Sequence, residues 1–177
     1  MPPAPPSDIR LLCLDVDGVL TDGSILIDSQ GAELKRFHVR DGLAIKAWQV
    51  AGNHLAVVTG RGGPAVQARM AELGVDHVHE RVGDKAQVVR DLQSRLGLAP
   101  GQTAFMGDDL ADLPGFNAGG YAMAPADAVE EVLARADWIG ACRGGHGAVR
   151  EAIEHLLRAR GVWEEVVARH LDTGNLA

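Results

Sequence analysis

The chain has 177 residues, of which 46% are hydrophobic, and this is enough to bury one core of ordinary size. Its formal net charge of −7 argues against broad binding to nucleic acid or to an anionic membrane, because both require a basic surface. No apolar run approaches the length of a membrane span, and the first residues lack the basic start and apolar stretch of a signal peptide. We therefore expect a single domain that meets any anionic ligand through local cations.

The two ends of the chain predict tails outside the domain, and its cysteines bear on the compartment in which it works. Residues 1–8, MPPAPPSD, are predicted to form a proline-rich disordered tail, and residues 172–177 a flexible one. Residues 9–171 are expected to form the domain. Cys13 and Cys142 match neither a disulfide framework nor a zinc site, which is typical of a reducing compartment. A cytoplasmic location is therefore expected.

Short apolar runs alternate with segments of helical periodicity, a pattern that indicates βαβ units and a parallel sheet. The predicted strands cover residues 9–16, 54–59, 76–79, 103–106, 120–123 and 137–139. The predicted helices cover about 42–51, 64–73, 84–96, 109–117, 127–135, 146–159 and 162–171. The expected fold class is α/β, a Rossmann-like three-layer α/β/α arrangement with a mainly parallel sheet.

One segment interrupts this rhythm directly after the first strand. Residues 23–39, GSILIDSQGAELKRFHV, alternate apolar and polar residues on both sides of Ser29-Gln30-Gly31. Alternation around a turn is typical of a β-hairpin, so a hairpin insertion is predicted here. A different glycine-rich segment, 144–147, lacks the lysine and hydroxyl residue of a phosphate loop and is predicted to form a tight turn before a helix.

In open α/β sheets, functional groups collect beyond the carboxyl ends of the strands. The residues predicted at that edge are Asp15 and Asp17, Thr59, Gly60 and Arg61, Asp108, Asp109 and Asp112, and Lys85 at the start of a helix. Two aspartates one residue apart at the end of a buried strand would repel each other, and desolvation would add to the cost. A divalent cation between carboxylates, or a proton held for a purpose, would remove that conflict.

Each residue type suits phosphoryl chemistry. Asp15 and Asp108 could bind Mg²⁺, which prefers carboxylate oxygens. Asp15 could also attack phosphorus to give an aspartyl-phosphate, while Asp17 serves as general acid and then general base. The Thr59 hydroxyl, the Gly60 amide and the Lys85 ammonium group could hold the phosphoryl oxygens. Asp112, four residues after Asp108, could orient the lysine.

These motifs resemble a known superfamily when they are taken together. DVDGV at 15–19, VVTGR at 57–61, Lys85 and GDDLAD at 107–112 resemble, in order, the four motifs of the haloacid dehalogenase superfamily of phosphatases. DGVLTDG at 17–23, FHVRDG at 37–42 and GGHGAVRE at 144–151 are similar to its capless subgroup, which includes phosphatases of 3-deoxy-D-manno-octulosonate 8-phosphate. The resemblance covers about residues 9–160.

The resemblance implies an Mg²⁺-dependent phosphomonoesterase. Asp15 would be nucleophile and metal ligand, Asp17 the acid/base whose backbone carbonyl also binds the metal, and Asp108 the remaining protein ligand. Thr59 and Lys85 would bind phosphate, and the supporting carboxylates would be Asp109 and Asp112. The implied substrate is 3-deoxy-D-manno-octulosonate 8-phosphate, used in lipopolysaccharide precursor synthesis. A sialic-type nine-carbon sugar 9-phosphate is the alternative.

The resemblance also implies a homotetramer in which the 23–39 hairpins assemble around a central axis and close over a neighbour's active site. Arg40 and Arg61 are hypotheses for binding a sugar-acid carboxylate or for an interface contact, since guanidinium meets carboxylate in two parallel bonds. Leu43-Ala44 stand where the subgroup leads us to expect an aromatic residue and a glycine, and HERVGD at 79–84 replaces a more neutral loop. These departures are expected near the mouth of the pocket.

Two alternatives come from other functional classes. A receiver domain of two-component signalling also uses carboxylates, threonine and lysine, but its lysine follows its phospho-acceptor at the end of a late strand, whereas Lys85 here precedes Asp108. A non-catalytic tetrameric scaffold is the other alternative. Keeping several converging carboxylates without a metal would be costly, and this argues against the scaffold.

Overall fold

The protein is described from a computed structural model that covers residues 7–173, with side chains described through Arg169. Most of the predicted N-terminal tail, residues 1–6, and residues 174–177 of the predicted C-terminal tail lie outside the described residues. The last helix continues to Thr173, beyond the predicted end at residue 171. In the described part of the chain, no helix is both long and apolar enough to cross a membrane.

A six-stranded parallel sheet forms the centre of the molecule, in the order β5-β4-β1-β6-β7-β8. Its strands are β1 Leu11–Leu14, β4 His54–Val58, β5 His77–His79, β6 Thr103–Met106, β7 Tyr121–Ala124 and β8 Trp138–Ile139. β1 lies in the middle, and all four of its residues, LLCL, are buried. A continuous apolar run is what a parallel strand covered on both faces requires.

Helices cover both faces of the sheet, as the three-layer prediction required. They are α1 Val39–Val50, α2 Pro64–Glu72, α3 Lys85–Leu96, α4 Leu113–Ala118, α5 Glu130–Leu133, α6 Ala148–Ala159 and α7 Trp163–Thr173. Leu12 and Leu14 of β1 pack in one core with α1, α2, α6 and α7. Leu11 and Cys13 point to the other face and pack in a second core with α3, α4 and α5. The alternation of side chains along a strand thus divides the hydrophobic residues between two cores.

The predicted hairpin is present but its strands are short. β2 Leu26–Ile27 pairs antiparallel with β3 Glu33–Leu34, and Asp28 closes the turn by accepting hydrogen bonds from the backbone of Gln30 and Ala32, both at 2.8 Å. The hairpin leaves apolar side chains in solvent. Ile25, Leu26, Ile27 and Leu34 are 56%, 50%, 66% and 56% exposed.

The order of the strands locates the site. The chain runs outward from β1 through β4 to β5, and then crosses to the other side of β1 to add β6, β7 and β8. The direction of winding therefore changes between β1 and β6, and the loops that leave these neighbours diverge at their carboxyl ends. Such a switch point opens a crevice, and the loops after β1, β4 and β6 surround it.

Candidate active site

A cavity of about 400 Å³ opens at the carboxyl edge of the sheet. Nine residues predicted for the site line it: Asp15, Asp17, Thr59, Gly60, Arg61, Lys85, Asp108, Asp109 and Asp112. These residues come from the loops after β1, β4 and β6 and from the start of α3. The parallel sheet brings them together because all of its strands end at the same edge.

Asp15 stands where β1 ends, and its amide still donates to the Met106 carbonyl at 3.0 Å, which continues the ladder with β6. The residue is 8% exposed, and its carboxylate lies 3.0 Å from the Lys85 ammonium group. Burial, together with the nearby Asp112 carboxylate, raises the pKa of Asp15 to about 6, and Lys85 partly opposes this shift. A buried carboxylate in this setting needs a cation to remain ionised.

Asp112 organises the loop after β6. Its side chain is fully buried and accepts from the Lys85 ammonium group at 2.6 Å. Its second oxygen accepts from the backbone amides of Asp108 and Asp109, at 2.9 and 3.2 Å. Asp109 then caps the short 3₁₀ turn Leu110–Asp112 by accepting from the Leu110 amide. Asp112 therefore holds both the lysine and the backbone of the GDD segment in place.

Asp15, Asp108 and Asp112 present carboxylate oxygens that all lie within 4.8 Å of one another, as the oxygens around one metal ion would. Asp108 Oδ1 is buried and has no hydrogen-bond partner among the described residues. Burial and the charges of Asp112 and Asp15 raise the pKa of Asp108 to about 7. An unpartnered carboxylate oxygen among other carboxylates fits a hard divalent cation. The sequence analysis placed Asp112 only as a support for Lys85.

Thr59 and Gly60 form the opposite wall of the cavity. Thr59 is 1% exposed, and its amide donates to the His79 carbonyl at 2.9 Å, which extends β4 beside β5. Its hydroxyl accepts from the Arg61 amide at 3.2 Å, so the turn after β4 is closed by the side chain itself. Both residues line the cavity, and a hydroxyl group and a backbone amide suit the binding of phosphoryl oxygens.

Asp17 belongs to a second group of charges at the outer side of the cavity. Lys35 of the hairpin lies 2.5 Å from Asp17 and 2.9 Å from Glu33, and its side chain is only 3% exposed. Burial lowers the pKa of Lys35, but the hydrogen bonds to Asp17 and Glu33 outweigh it and leave the pKa above its usual value. Arg61 lies 3.5 Å from Asp17 and 3.2 Å from Glu33. The hairpin thus reaches the site of its own chain.

Sequence reasoning missed Lys35 and Glu33. The signal was present, because these residues are two apart in the alternating segment predicted as a hairpin, a spacing that places both side chains on the same side. The sequence did not indicate that this side faces Asp17, because Asp17 lies 18 residues before Lys35 in the chain.

Three residues singled out in the sequence, Arg40, Leu43 and Ala44, lie away from the active-site cavity. Arg40 is exposed on the first turn of α1 and does not line the cavity. Leu43 and Ala44 were expected near the mouth of the pocket, but they line a separate apolar cavity of about 200 Å³ beside Trp163. The face of α1 that carries Ala44 packs on α6 and α7, which removes it from the carboxyl edge of the sheet. Of the HERVGD segment, Val82 and Gly83 do line the active-site cavity.

Comparison with known proteins agrees with this geometry. Residues 78–153 match the model of the haloacid dehalogenase-like hydrolases. The chain is 42% identical over 158 residues to 3-deoxy-D-manno-octulosonate 8-phosphate phosphatase KdsC of Escherichia coli strain K12, covering 89% of this chain and 84% of the relative. The chain therefore belongs to the haloacid dehalogenase-like phosphatases, in the family that includes these enzymes.

Solved structures show the same likeness. The 3-deoxy-D-manno-octulosonate 8-phosphate phosphatase of Moraxella catarrhalis, in complex with magnesium, phosphate and the sugar acid KDO, matches with a TM-score of 0.89 and 37% identity. That match covers 92% of this chain and 94% of the other. The cobalt-bound phosphatase of Haemophilus influenzae matches with a TM-score of 0.86 and 40% identity, covering 89% and 92% of the two chains.

Proposed function

We propose that this protein is an Mg²⁺-dependent phosphomonoesterase that hydrolyses 3-deoxy-D-manno-octulosonate 8-phosphate to the free sugar acid and phosphate. The observation that carries the proposal is the meeting of Asp15, Asp108 and Asp112 within 4.8 Å, with Lys85 at 3.0 Å from the Asp15 carboxylate. The names of the relatives support the choice of substrate, at 37–42% identity over most of the chain.

In the first half of the proposed reaction, a carboxylate oxygen of Asp15 attacks phosphorus and the bond to the sugar oxygen breaks. Asp17 gives its proton to the leaving oxygen, so the sugar departs as an alcohol. Lys85 and the Thr59–Gly60 turn hold the phosphoryl oxygens while charge shifts among them. Lys85 is suited to this because the Asp112 carboxylate, 2.6 Å from its ammonium group, holds it in position.

In the second half, water attacks the phosphorus of the Asp15 phosphate and gives its proton to the Asp17 carboxylate. Phosphate leaves, Asp15 is regenerated, and Asp17 is ready for another cycle. Asp15, Asp108 and the Asp17 backbone carbonyl would hold Mg²⁺, with Asp112 close behind. When bound, the ion would offset the negative charge of the carboxylates and of the phosphoryl group.

The site also needs cations for the sugar acid. Arg61 is half-exposed at the outer side of the cavity and pairs with Glu33 in a geometry that another carboxylate could adopt. We propose Arg61 as the group that meets the sugar-acid carboxylate. Arg40 lies outside the cavity, and we propose it as a subunit contact.

We further propose a homotetramer formed through the 23–39 hairpins. Ile25 and Ile27 are more than half exposed on a hairpin that is too small to be stable alone. Contiguous apolar surface of this kind is typical of interfaces. A cytoplasmic location is proposed on the free thiols of Cys13 and Cys142.

Phosphate release tests the proposal. Three substrates are compared: 3-deoxy-D-manno-octulosonate 8-phosphate, a sialic-type nine-carbon 9-phosphate, and glucose 6-phosphate, each with Mg²⁺, with EDTA, and with Mg²⁺ restored after EDTA. We expect EDTA to abolish release, restored Mg²⁺ to recover it, and the eight-carbon acid to be preferred. Preference for the nine-carbon acid would move the substrate to the alternative. No release from any of the three would favour the non-catalytic scaffold.

A further inference from the structure

The glycine loop, residues 143–147, packs directly against the loop that carries the catalytic aspartates. A β-carbon built on Gly144 would lie 1.8 Å from the carbonyl oxygen of Gly18. One built on Gly145 would lie 2.5 Å from the Asp22 nitrogen, and the Gly145 amide donates to the Val19 carbonyl at 3.0 Å. Two backbones are therefore in contact where a side chain would separate them. The predicted turn before α6 therefore also makes close backbone contact with the loop after β1.

Gly18 in turn supports the Asp108 carboxylate. A β-carbon on Gly18 would lie 2.0 Å from Asp108 Oδ2 and 2.3 Å from Cγ, and its φ of +85° is one that other residues rarely adopt. Asp108 Oδ1 has no hydrogen-bond partner among the described residues, so packing against Gly18 is a contact that restrains this carboxylate. Moving Gly18 would move a metal-binding oxygen.

Asp127 also connects the glycine loop with the segment that contains Asp108. Its carboxylate accepts from the Gly144 amide at 2.9 Å and from Arg143 Nε at 3.1 Å. Two residues later, the Val129 amide donates to the Asp108 backbone carbonyl at 2.9 Å. Residues 126–129 therefore connect the glycine loop with the main chain of Asp108. The side chain of Asp127 is 31% exposed, so it is not part of the core.

We propose that the glycine loop, held by Asp127, is a positioning element for the metal site. By packing against Gly18 it keeps Gly18 in contact with the Asp108 carboxylate, and this contact sets the affinity of the site for the divalent cation. The inference rests on the proposed function, in which Asp108 binds Mg²⁺. Neither Gly144 nor Asp127 lines the active-site cavity. Both act through Gly18 and Asp108.

The test is Mg²⁺ binding by isothermal titration calorimetry, with circular dichroism to check the fold. Gly144→Ala inserts a methyl group against Gly18, and we expect Mg²⁺ affinity to fall about 10- to 100-fold, the range seen when supporting groups around a metal are lost. Gly101→Ala is the matched control, because a β-carbon there meets nothing within 4 Å, and its affinity should equal that of the wild type.

Asp127→Ala keeps the test decisive even where Gly144→Ala does not fold, since it adds no atoms. We expect a smaller loss, about threefold to tenfold, and recovery of phosphatase activity at high Mg²⁺, which loss of folded protein would not show. Asp76→Ala, at an exposed position on the opposite edge of the sheet, is its control. Wild-type affinity in folded Asp127→Ala, or a loss that added Mg²⁺ does not restore, would overturn the inference and leave the proposed function standing. Failure of the wild type to bind Mg²⁺ would overturn both.

Discussion

The carboxyl edge of the sheet and the 23–39 hairpin differ in how well their side chains are buried within one chain. At the edge, Asp15, Lys85 and Asp112 are 8%, 3% and 0% exposed and contact one another. On the hairpin, Ile25 and Ile27 are 56% and 66% exposed on a pair of two-residue strands. The edge therefore brings the residues proposed for phosphate release together within a single chain, whereas the hairpin presents the apolar surface through which we propose assembly.

The contact between the two regions is electrostatic and consists of few residues. Lys35 brings the hairpin to Asp17, and Glu33 brings it to Arg61. The residues proposed for phosphate release thus lie mainly at the sheet edge, while the hairpin contacts Asp17, the proposed acid/base, and Arg61, the proposed sugar-acid contact. Substitutions in one region should affect turnover, and substitutions in the other should affect assembly.

The largest effect is expected at Asp15. Asp15→Asn retains the shape of the side chain but removes the nucleophile, so turnover should fall at least about a thousandfold. The fold and the oligomeric state should be unchanged. Phosphate release and size-exclusion chromatography would be measured together, with the exposed Asp76→Asn as control. Activity within about tenfold of the wild type would remove Asp15 as nucleophile.

A change of assembly is expected from the hairpin. Replacing Ile25 and Ile27 together by serine removes exposed apolar surface but keeps Lys35 and Glu33, so the molecular mass in solution should fall below that of a tetramer. Deleting residues 24–37 should have the same effect on mass. Light scattering coupled to chromatography measures it, and Val50→Ser, an exposed apolar position on α1, is the control. An unchanged mass in both hairpin variants would contradict the proposed interface.

A moderate effect is expected where the two regions meet. Lys35→Met removes the nearer of the two cations beside Asp17, at 2.5 Å against 3.5 Å for Arg61, so kcat at saturating Mg²⁺ should fall about tenfold as the proposed acid/base loses its orientation. Lys46→Met, at a half-buried position on α1, should leave kcat unchanged. If Lys35→Met changes kcat by less than about twofold, the contact with Asp17 has no catalytic importance.

The smallest effect is a pH-dependent change in stability at Asp108. Its pKa is raised to about 7 by burial and neighbouring carboxylates, so its ionisation destabilises the metal-free folded state progressively from the ordinary value of 3.8 upward. Asp108→Asn should therefore raise the melting temperature at pH 8, by roughly 3–6 °C. The gain should vanish at about pH 2, well below the ordinary value of 3.8, where the carboxyl group is protonated in both states. Thermal denaturation in EDTA checks this, and an equal shift at both pH values would contradict it.

Much of the fold could be predicted because its signals are local. The strand at 103–106 was placed at the residues that form β6, and the apolar periodicity located every strand of the sheet to within about two residues. Asp15, Thr59 and Asp108 follow strands, and parallel strands end at one edge, so their convergence needed no knowledge of packing. Leu43 and Ala44 were expected near the mouth of the pocket but line a separate cavity. This position could not be predicted, because the orientation of α1 depends on its packing against α6 and α7, about a hundred residues later in the chain.

The kind of protein could be inferred from local motifs, because the order and spacing of DVDGV, VVTGR, Lys85 and GDDLAD indicate the carboxylates, hydroxyl and cation of a phosphatase. The groups that contact these motifs from distant segments became visible only in the folded chain. Lys35 reaches Asp17, and Gly144 rests on Gly18, only because segments far apart in the chain fold back to the same edge. Local pattern carries information about backbone geometry, whereas contacts between distant segments depend on packing that no single stretch of sequence encodes.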